Sequence, residues 1–326
     1  MNPRALLAIL WNAEKALDLM ATARQLGLLE RLDAGPVSLT ELADVVRARP
    51  LRMYKFLDGL ESLGLVRRIQ PRDELASAEY VSVEPLAAAA EAVLGERSIE
   101  RDRDRYPWRE LQGRLPEVLR GGRDATFAWP PKTADDVRGF EASMAAGCPP
   151  IIEALRDVIT RGRWLDVGGG DGTVAEALAR EHRELVVDVY NLPAVEPLVR
   201  ARRGVGFVGG DFFAETLPTG YDTLSFVRVL HDWPEDAARA LLVKATAALA
   251  PGAQLVVCEE FRTPDRLAVQ FFWTYFLIGV DACVSRLREV EWYTAALSEL
   301  GYVDIRVIPG AFDVVVATRG SRRTAP

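Results

Sequence analysis

A histidine follows a hydrophobic run in the segment VRVLHDWPED, residues 227–236, and it is one of two histidines in a chain of 326 residues. An imidazole has a reference pKa of about 6.5, so it can accept a proton near neutral pH. His231 is therefore a candidate general base. The alternative is a polar residue at a strand end that hydrogen-bonds to the backbone.

A glycine-rich turn in WLDVGGGDGTVAEALA is the second candidate for chemistry. Gly168, Gly170 and Gly172 allow positive φ angles and a close approach of the backbone to a ligand. A dinucleotide fingerprint would need a third glycine where the chain has Thr173. An adenosyl ligand with an amino-acid tail is an alternative, and Asp166 could contact its ammonium group. A plain glycine turn and a dinucleotide site remain the competing interpretations.

Strand-like and helical segments alternate from residue 163 onward. We predict helices over 172–181, 194–201, 234–249 and 288–300, and strands in RWLDVG, LVVDVYN, GVGFVGGD, TLSFVRVL, AQLVVCEEF, VDIRVI and FDVVVATR. This order predicts an α/β fold with a doubly wound sheet, in which ligands bind at the carboxyl ends of the strands. The glycine turn and His231 both follow predicted strands, so we expect them at the same edge.

The first part of the chain predicts a second, smaller unit. Helical periodicity covers residues 4–32, and Ser38 or Thr40 can cap the short helix TELADVV. A second helix and the strand-like segments LVRRI and EYVSV follow it, a pattern typical of a winged helix. We place the domain boundary near residue 135, giving domains 1–134 and 135–326.

Composition fits a globular protein with an ordinary core, since 49% of residues are apolar and 27% are charged. The three cysteines are scattered without CxxC spacing, which suits a reducing cytoplasm. No apolar run approaches the ~20 residues that cross a bilayer, so we expect no membrane segment. The N-terminal apolar stretch, interrupted by charges, is interpreted as a helix and not a signal peptide.

A DNA-binding regulator is the alternative that the winged-helix pattern raises. Its basic residues are Arg47, Arg49, Arg52 and Lys55. Asp58 and Glu61 on the second helix and a net charge of −7 argue against a nucleic-acid partner. His182 is predicted at the opposite edge of the sheet as a solvated residue, so we expect no metal site.

Five segments together resemble one family: LDVGGGDG, NLPAV, GGDFF, VLHDWPED and LAPGAQLVVCEE. In order and spacing they are similar to the small-molecule O-methyltransferases that use S-adenosylmethionine, which include plant phenolic enzymes and bacterial natural-product relatives. The resemblance covers nearly the whole chain. It implies a Rossmann-like domain, an N-terminal winged-helix domain that forms a homodimer, and a small aromatic substrate from secondary metabolism.

The resemblance also implies which residues hold the cofactor. The glycine loop would take the methionine moiety, the end of the second strand the ribose, and the GGDFF segment the adenine; the expected residues are Asp166, Gly168, Gly170, Gly172, Asn191, Leu192, Asp211, Phe212 and Arg228. One position departs from the family, which has an aspartate where this chain has Asn191. An amide lacks the charge-assisted hydrogen bond of a carboxylate, so we expect weaker ribose binding unless Asp188 contributes.

The same resemblance implies the catalytic residues. His231 would be the general base, and Glu259, after the strand LVVC, would orient its ring. A phenol with a pKa near 10 is only about 0.1% ionised at pH 7, so removing its proton is the difficult step. Residues that either line the substrate pocket or pack in the core are Phe140, Met144, Trp273 and Tyr275. Asp232 either contacts the substrate or stiffens the turn.

A second carboxylate that the family usually has before its last helix is missing. Arg286, Leu287 and Arg288 stand where an acid, an arginine and a threonine are expected. Arg286 or Arg288 would then pair with a carboxylate on the substrate, or else be solvated. O-methylation of a phenol is the first expectation; methylation at the ring carbon and a relative that uses the cofactor without methylating are the alternatives.

Overall fold

The computed structural model describes residues 2–69, 78–96, 98, 112–120, 134–263, 275, 287–310 and 312–321. The chain divides into two compact units, residues 1–102 and 103–326. Most of the segment between residue 103 and the predicted boundary near residue 135 lies outside the described residues. The position of that boundary therefore stays a prediction.

The first unit is mainly helical. Its helices span Pro3–Trp11, Ala13–Gln25, Leu28–Ala34, Leu39–Val45, Pro50–Ser62 and Leu86–Leu94. Strands β1 (Val37–Ser38), β2 (Val66–Arg68) and β3 (Glu79–Ser82) form an antiparallel sheet in the order β1-β3-β2. Among the described residues, no helix combines the length and apolarity needed to cross a membrane.

Local signals explain where the helices of this unit begin. The Ser38 hydroxyl accepts a hydrogen bond from the Glu41 amide at 3.1 Å, so Ser38 caps helix Leu39–Val45. Pro50 opens the next helix, where its missing N–H costs nothing. The prediction that Ser38 or Thr40 caps the short helix is thus confirmed with Ser38.

The second unit alternates strands and helices. Its helices span Leu115–Leu119, Ala134–Ala146, Pro149–Leu155, Thr173–Glu181, Glu196–Val199, Glu235–Ala248 and Val290–Glu299. The strands are β4 (Gly162–Val167), β5 (Leu185–Asn191), β6 (Val205–Gly209), β7 (Thr223–Val227), β8 (Gln254–Glu259), β9 (Tyr302–Ile308) and β10 (Asp313–Arg319).

These seven strands form one sheet in the order β6-β5-β4-β7-β8-β10-β9. The pairs from β6 to β8 are parallel, and β10 runs antiparallel to both of its neighbours. Residues 164–167 of β4 are buried, as is typical of a central parallel strand covered on both faces. The predicted doubly wound, Rossmann-like sheet is confirmed, and its order reverses between β4 and β7, where such sheets bind ligands.

Candidate active site

Backbone hydrogen bonds join the loops at the carboxyl ends of the central strands. The Gly168 amide donates to the Tyr190 carbonyl at 2.8 Å, and the Gly210 amide donates to the Asn191 carbonyl at 3.0 Å. On the other side of the switch point, the Arg228 amide donates to the Cys258 carbonyl at 3.0 Å. The predicted cofactor and catalytic segments therefore share one edge of the sheet.

The glycine loop adopts a backbone that other residues would strain. Gly168, Gly170 and Gly172 have φ angles of 73°, 54° and 81°. A Cβ on Gly168 would lie 2.8 Å from a methyl of Val229, and one on Gly170 would lie 2.6 Å from a carboxylate oxygen of Glu141. At these glycines the loop therefore presents backbone atoms without side chains.

Asp171 anchors the loop to helix Thr173–Glu181. Its Oδ1 accepts hydrogen bonds from the Thr173 amide at 3.0 Å and the Thr173 hydroxyl at 2.7 Å. Its other oxygen pairs with Arg202, which also contacts Glu176 at 3.2 Å. The loop is thus fixed from the side of β6 as well as by its own helix.

Asp166 lies buried beneath the loop, with 1% of its surface exposed. It accepts a hydrogen bond from the Ser225 hydroxyl at 2.6 Å, and Ser225 in turn accepts one from the Trp164 indole at 2.8 Å. Burial raises the pKa of Asp166 to about 6, although the Ser225 bond opposes the shift.

Glu141, which the sequence analysis did not select, faces the same loop. It lies on helix Ala134–Ala146, is 6% exposed, and accepts a hydrogen bond from the Asp171 amide. Burial and then the Asp171 charge raise its pKa to about 7, while the Asp171 amide and Arg228 act in the opposite direction. The available signal was an acid beside Phe140, in the half of the helix (residues 139–146) whose other residues are apolar or small.

The expected ribose position, Asn191, is half-buried at the end of β5. Its side-chain oxygen accepts a hydrogen bond from the Leu192 amide at 2.8 Å, and Leu192 itself is exposed. Asp188 lies further back along the strand, where it accepts a bond from the Tyr221 hydroxyl at 2.8 Å and is 3.7 Å from Arg163. Asp188 therefore has structural partners inside the sheet.

The expected adenine segment is held by a lysine from helix Glu235–Ala248. Lys244 donates to the carbonyls of Phe212 and Phe213 at 2.7 Å. The Phe212 ring meets the Phe213 and Trp233 rings edge-on, with centroids 4.7 and 5.9 Å away. Asp211 accepts a bond from the Phe213 amide at 2.8 Å, which orients its carboxylate within the turn.

His231 lies in the short 3-10 turn Leu230–Asp232 directly after β7, and it is 5% exposed. Its Nε2 is 3.3 Å from Asp232 Oδ1, and its Nδ1 is 3.9 Å from Glu259 Oε1. The His231 amide donates to that same Glu259 oxygen at 3.1 Å. Burial alone lowers the pKa of His231, but the charges of Asp232 and Glu259 outweigh it and raise the pKa to about 9.

Arg228 joins the turn that carries His231 to helix Ala134–Ala146. It has a positive φ of 53°, and its guanidinium donates to the Met144 carbonyl at 2.9 Å. Phe140 and Met144 are both half-buried on this helix. Tyr275 is also half-buried and packs against Val118.

Arg288 has partners different from those expected. It is 4% exposed, so it is not solvated, and it donates to the Leu230 carbonyl at 2.8 Å and to the Trp233 carbonyl. These bonds direct its guanidinium to the backbone around His231, and we withdraw its assignment to a substrate carboxylate. Trp273 and Arg286 lie outside the described residues.

The second histidine lies apart from this edge. His182 ends helix Thr173–Glu181, and its Nε2 is 2.8 Å from the Arg156 carbonyl. In the part of the chain that the structure describes, no group of three or more histidine, cysteine or acidic side chains could hold a metal ion.

Comparisons with known proteins agree with this architecture. Residues 150–302 match the family model of the O-methyltransferase domain. The chain is 29% identical to the N,N-dimethyltransferase OxyT of Streptomyces rimosus over 86% of this chain and 85% of that one. It is 27% identical to the tetracenomycin polyketide synthesis 8-O-methyl transferase TcmO of Streptomyces glaucescens, over 88% of each.

A solved structure extends the match to the fold of the whole chain. Human N-acetylserotonin methyltransferase, in complex with SAM, superposes with a TM-score of 0.60 at 20% identity, covering 98% of this chain and 99% of that one. The sheet order defines a Rossmann-like fold. The family-model match and the methyltransferase relatives identify a methyltransferase that uses S-adenosylmethionine. The O-methyltransferase family model thus covers residues 150–302, just under half of the chain.

The buried carboxyl of Glu141 leads to a prediction about stability. Its pKa is raised from 4.5 to about 7, so the folded protein holds this proton more tightly than the unfolded chain does. The resulting contribution is full below pH 4.5 and is lost as the pH rises to 7, a change of about 3 kcal/mol. Glu141→Gln should therefore be more stable than the wild type at pH 8 but not at pH 4.5.

Urea unfolding at the two pH values measures this difference. Glu184→Gln is the matched control, because Glu184 is exposed in the same unit. An equal gap between wild type and Glu141→Gln at both pH values would contradict the prediction.

Proposed function

We propose that the protein transfers a methyl group from S-adenosylmethionine to the hydroxyl of a small aromatic natural-product intermediate, with His231 as the general base. The observation that carries the proposal is the buried His231, which lies on the turn beside the glycine loop. Its ring nitrogens face Asp232 on one side and Glu259, at the end of β8, on the other. A relative supports the substrate class: the 3-hydroxy-5-methyl-1-naphthoate 3-O-methyltransferase of Streptomyces sahachiroi is 30% identical over 48% of this chain and 49% of that one.

The residues at this edge fit the cofactor. The amino-acid end would lie on the bare backbone of Gly168 and Gly170, where any Cβ would clash. Glu141 and Asp166, whose carboxyl groups lie beside Gly170 and Gly169, would accept hydrogen bonds from its ammonium group. Further along the edge, Asn191 and Leu192 would contact the ribose, Asp211 and Phe212 the adenine, and Gly172 and Arg228 would shape the site.

The chemistry of the proposal centres on one proton. When bound, S-adenosylmethionine would supply an activated methyl group; its S–CH3 bond breaks as the methyl is transferred, and the neutral thioether S-adenosylhomocysteine leaves without further help. The phenolic hydroxyl loses its proton to Nε2 of His231 as the oxygen attacks, and Asp232, 3.3 Å from Nε2, stabilises the resulting imidazolium. Glu259 faces the other side of the ring and holds its orientation.

The same base would serve other acceptors. An amino group is a second candidate, because OxyT, an N,N-dimethyltransferase, is similar to this chain over most of its length. The ring carbon beside a phenolate oxygen is a third.

The residues expected around the acceptor are Phe140, Met144, Asp232 and Tyr275, with Trp273 outside the described part of the chain. Mass spectrometry and NMR of the product identify the methylated atom.

Replacing the base gives the direct test. His231→Ala should fold and bind S-adenosylmethionine as the wild type does, yet lose about 10²–10⁴-fold in kcat, the usual contribution of a general base. The assay is methyl transfer to a panel of phenols and aromatic amines. His182→Ala is the control, because His182 lies away from the site. Retained activity in His231→Ala would reject His231 as the base.

The raised pKa of His231 leads to a second prediction. With a pKa of about 9, His231 is mostly protonated at pH 7 and becomes a base only as the pH rises toward 9. We expect kcat/KM to climb about tenfold per pH unit below that value and then level off. NMR titration checks this without substrate, because the signal lost in His231→Ala identifies His231 among two histidines. A midpoint near 6.5 would contradict the predicted effect of Asp232 and Glu259.

The N-terminal unit is proposed to form a homodimer, with its winged-helix pattern as the framework. Helix Pro3–Trp11 exposes large apolar side chains, including Leu7 at 67% and Trp11 at 83%. Such a surface on a helix is typical of one that packs against a second copy.

Leu7→Glu with Trp11→Glu should shift the protein from dimer to monomer in light scattering at micromolar concentration. Val243→Glu, an exposed apolar residue on another helix, should not. A wild-type monomer would reject the proposal.

A further inference from the structure

A tyrosine from the last helix reaches the proposed orienting acid. Tyr293 lies on helix Val290–Glu299 and is fully buried, and its hydroxyl donates a hydrogen bond to Oε2 of Glu259. Its ring is held between Phe261 and Trp292, with centroids 4.9 Å from each. The hydroxyl is therefore fixed in place by packing on both sides.

The two oxygens of Glu259 have separate partners. Oε2 receives the Tyr293 hydroxyl, and Oε1 receives the His231 amide at 3.1 Å while facing Nδ1 of the same residue at 3.9 Å. Two donors on opposite sides fix the plane of a carboxylate. Removing the Tyr293 hydroxyl would leave Oε2 buried without that donor, and the plane of the carboxylate would no longer be fixed from that side.

Arg288 connects the pair of Tyr293 and Glu259 to the turn that carries His231. Its guanidinium hydrogen-bonds to the Tyr293 hydroxyl, and it also donates to the carbonyls of Leu230 and Trp233, which flank His231 on either side. It lies 4.8 Å from the centre of the Trp292 ring. One buried cation thus holds both the turn that carries His231 and the tyrosine that holds Glu259.

We propose that Tyr293, anchored by Arg288, is the positioning residue that fixes Glu259 against His231, in place of the second carboxylate that the family pattern leads one to expect. The inference rests on the proposed function, in which His231 is the base. Tyr293 acts through Glu259 and touches neither substrate nor cofactor in this role.

The proposal has an electrostatic consequence that packing alone would not produce. Among the described residues, the charged and titratable groups around His231 are Asp232 on its own turn, Arg228 after β7, Glu259 at the end of β8, and Arg288 and Tyr293 from the last segment. The Tyr293 hydroxyl draws off part of the negative charge of Glu259. Without it, the imidazolium feels more of that charge, and the pKa of His231 rises.

Tyr293→Phe tests the proposal, because it removes one hydroxyl and keeps the ring. We expect kcat to fall about tenfold, a part of the ~10²–10⁴-fold that a general base provides. The KM for S-adenosylmethionine should stay unchanged, and the NMR midpoint of His231 should move to higher pH. Tyr302→Phe is the control, since Tyr302 is also buried and its hydroxyl contacts Thr246 at 3.2 Å. That control should leave kcat and the midpoint unchanged.

A double-mutant cycle separates action through Glu259 from a loss of stability. Glu259→Gln with Tyr293→Phe should be no slower than Glu259→Gln alone, because the tyrosine acts through the missing carboxylate. Independent, additive losses, or an unmoved His231 midpoint in Tyr293→Phe, would overturn the inference. If His231→Ala kept its activity, the proposed function would fail instead, so the two failures are distinguishable.

Discussion

The parallel pairing of β4 with β7 is the constraint on which the site depends. The chain leaves β4 toward β5 and β6, and it leaves β7 toward β8, so the loops after the two strands diverge. Where they part, Gly168 faces Val229 so closely that a Cβ on Gly168 would lie 2.8 Å from a Val229 methyl. The strand order therefore makes the glycine loop a neighbour of the turn that carries His231. Because the two segments lie so close, residue 168 has to be a glycine.

Burial of charge is the second constraint, and it follows from the first. The carboxyl groups of Asp166, Glu141 and Glu259 are nearly inaccessible to water, and a buried carboxylate without donors is costly. Each of these carboxylates accepts hydrogen bonds from nearby donors. Ser225 donates to Asp166, the Asp171 amide donates to Glu141, and Tyr293 and the His231 amide donate to Glu259. The pKa values of Asp166 and Glu141 still rise, because one or two donors do not replace full hydration.

Sequence patterns predicted the strands well, because buried parallel strands are continuous apolar runs. The strand LVVDVYN was predicted over the same seven residues that form β5. The predicted strand TLSFVRVL instead ends at Val227, since Arg228 adopts a positive φ of 53° and turns the chain. Likewise, the helix predicted over 194–201 is regular only from Glu196 to Val199, after a 3-10 turn that begins at a proline.

Side-chain partners were harder to predict than backbone elements. The bonds from Arg288 to Leu230 and from Tyr293 to Glu259 join positions 58 and 34 residues apart, and no local pattern encodes such distances. Glu141 was not predicted as a site residue for the same reason, since its partner Asp171 lies on a different element. Glu259 was found only because five segments together resembled a known family, and the same resemblance turned His231 from one of two interpretations into the expected base.

In the proposed function, a tyrosine and an arginine near His231 in place of a second acid change the electrostatics of the imidazole. Another carboxylate near His231 would add to the effect of Asp232 and Glu259, which already raise the pKa of the imidazole to about 9. A protonated imidazole cannot accept a proton, so a further acid would orient the ring but leave a smaller fraction of it neutral. The Tyr293 hydroxyl and the Arg288 guanidinium hold Glu259 and the turn with donors instead of added negative charge. Geometry is thereby secured while the imidazole stays closer to the neutral form that the proposed reaction needs.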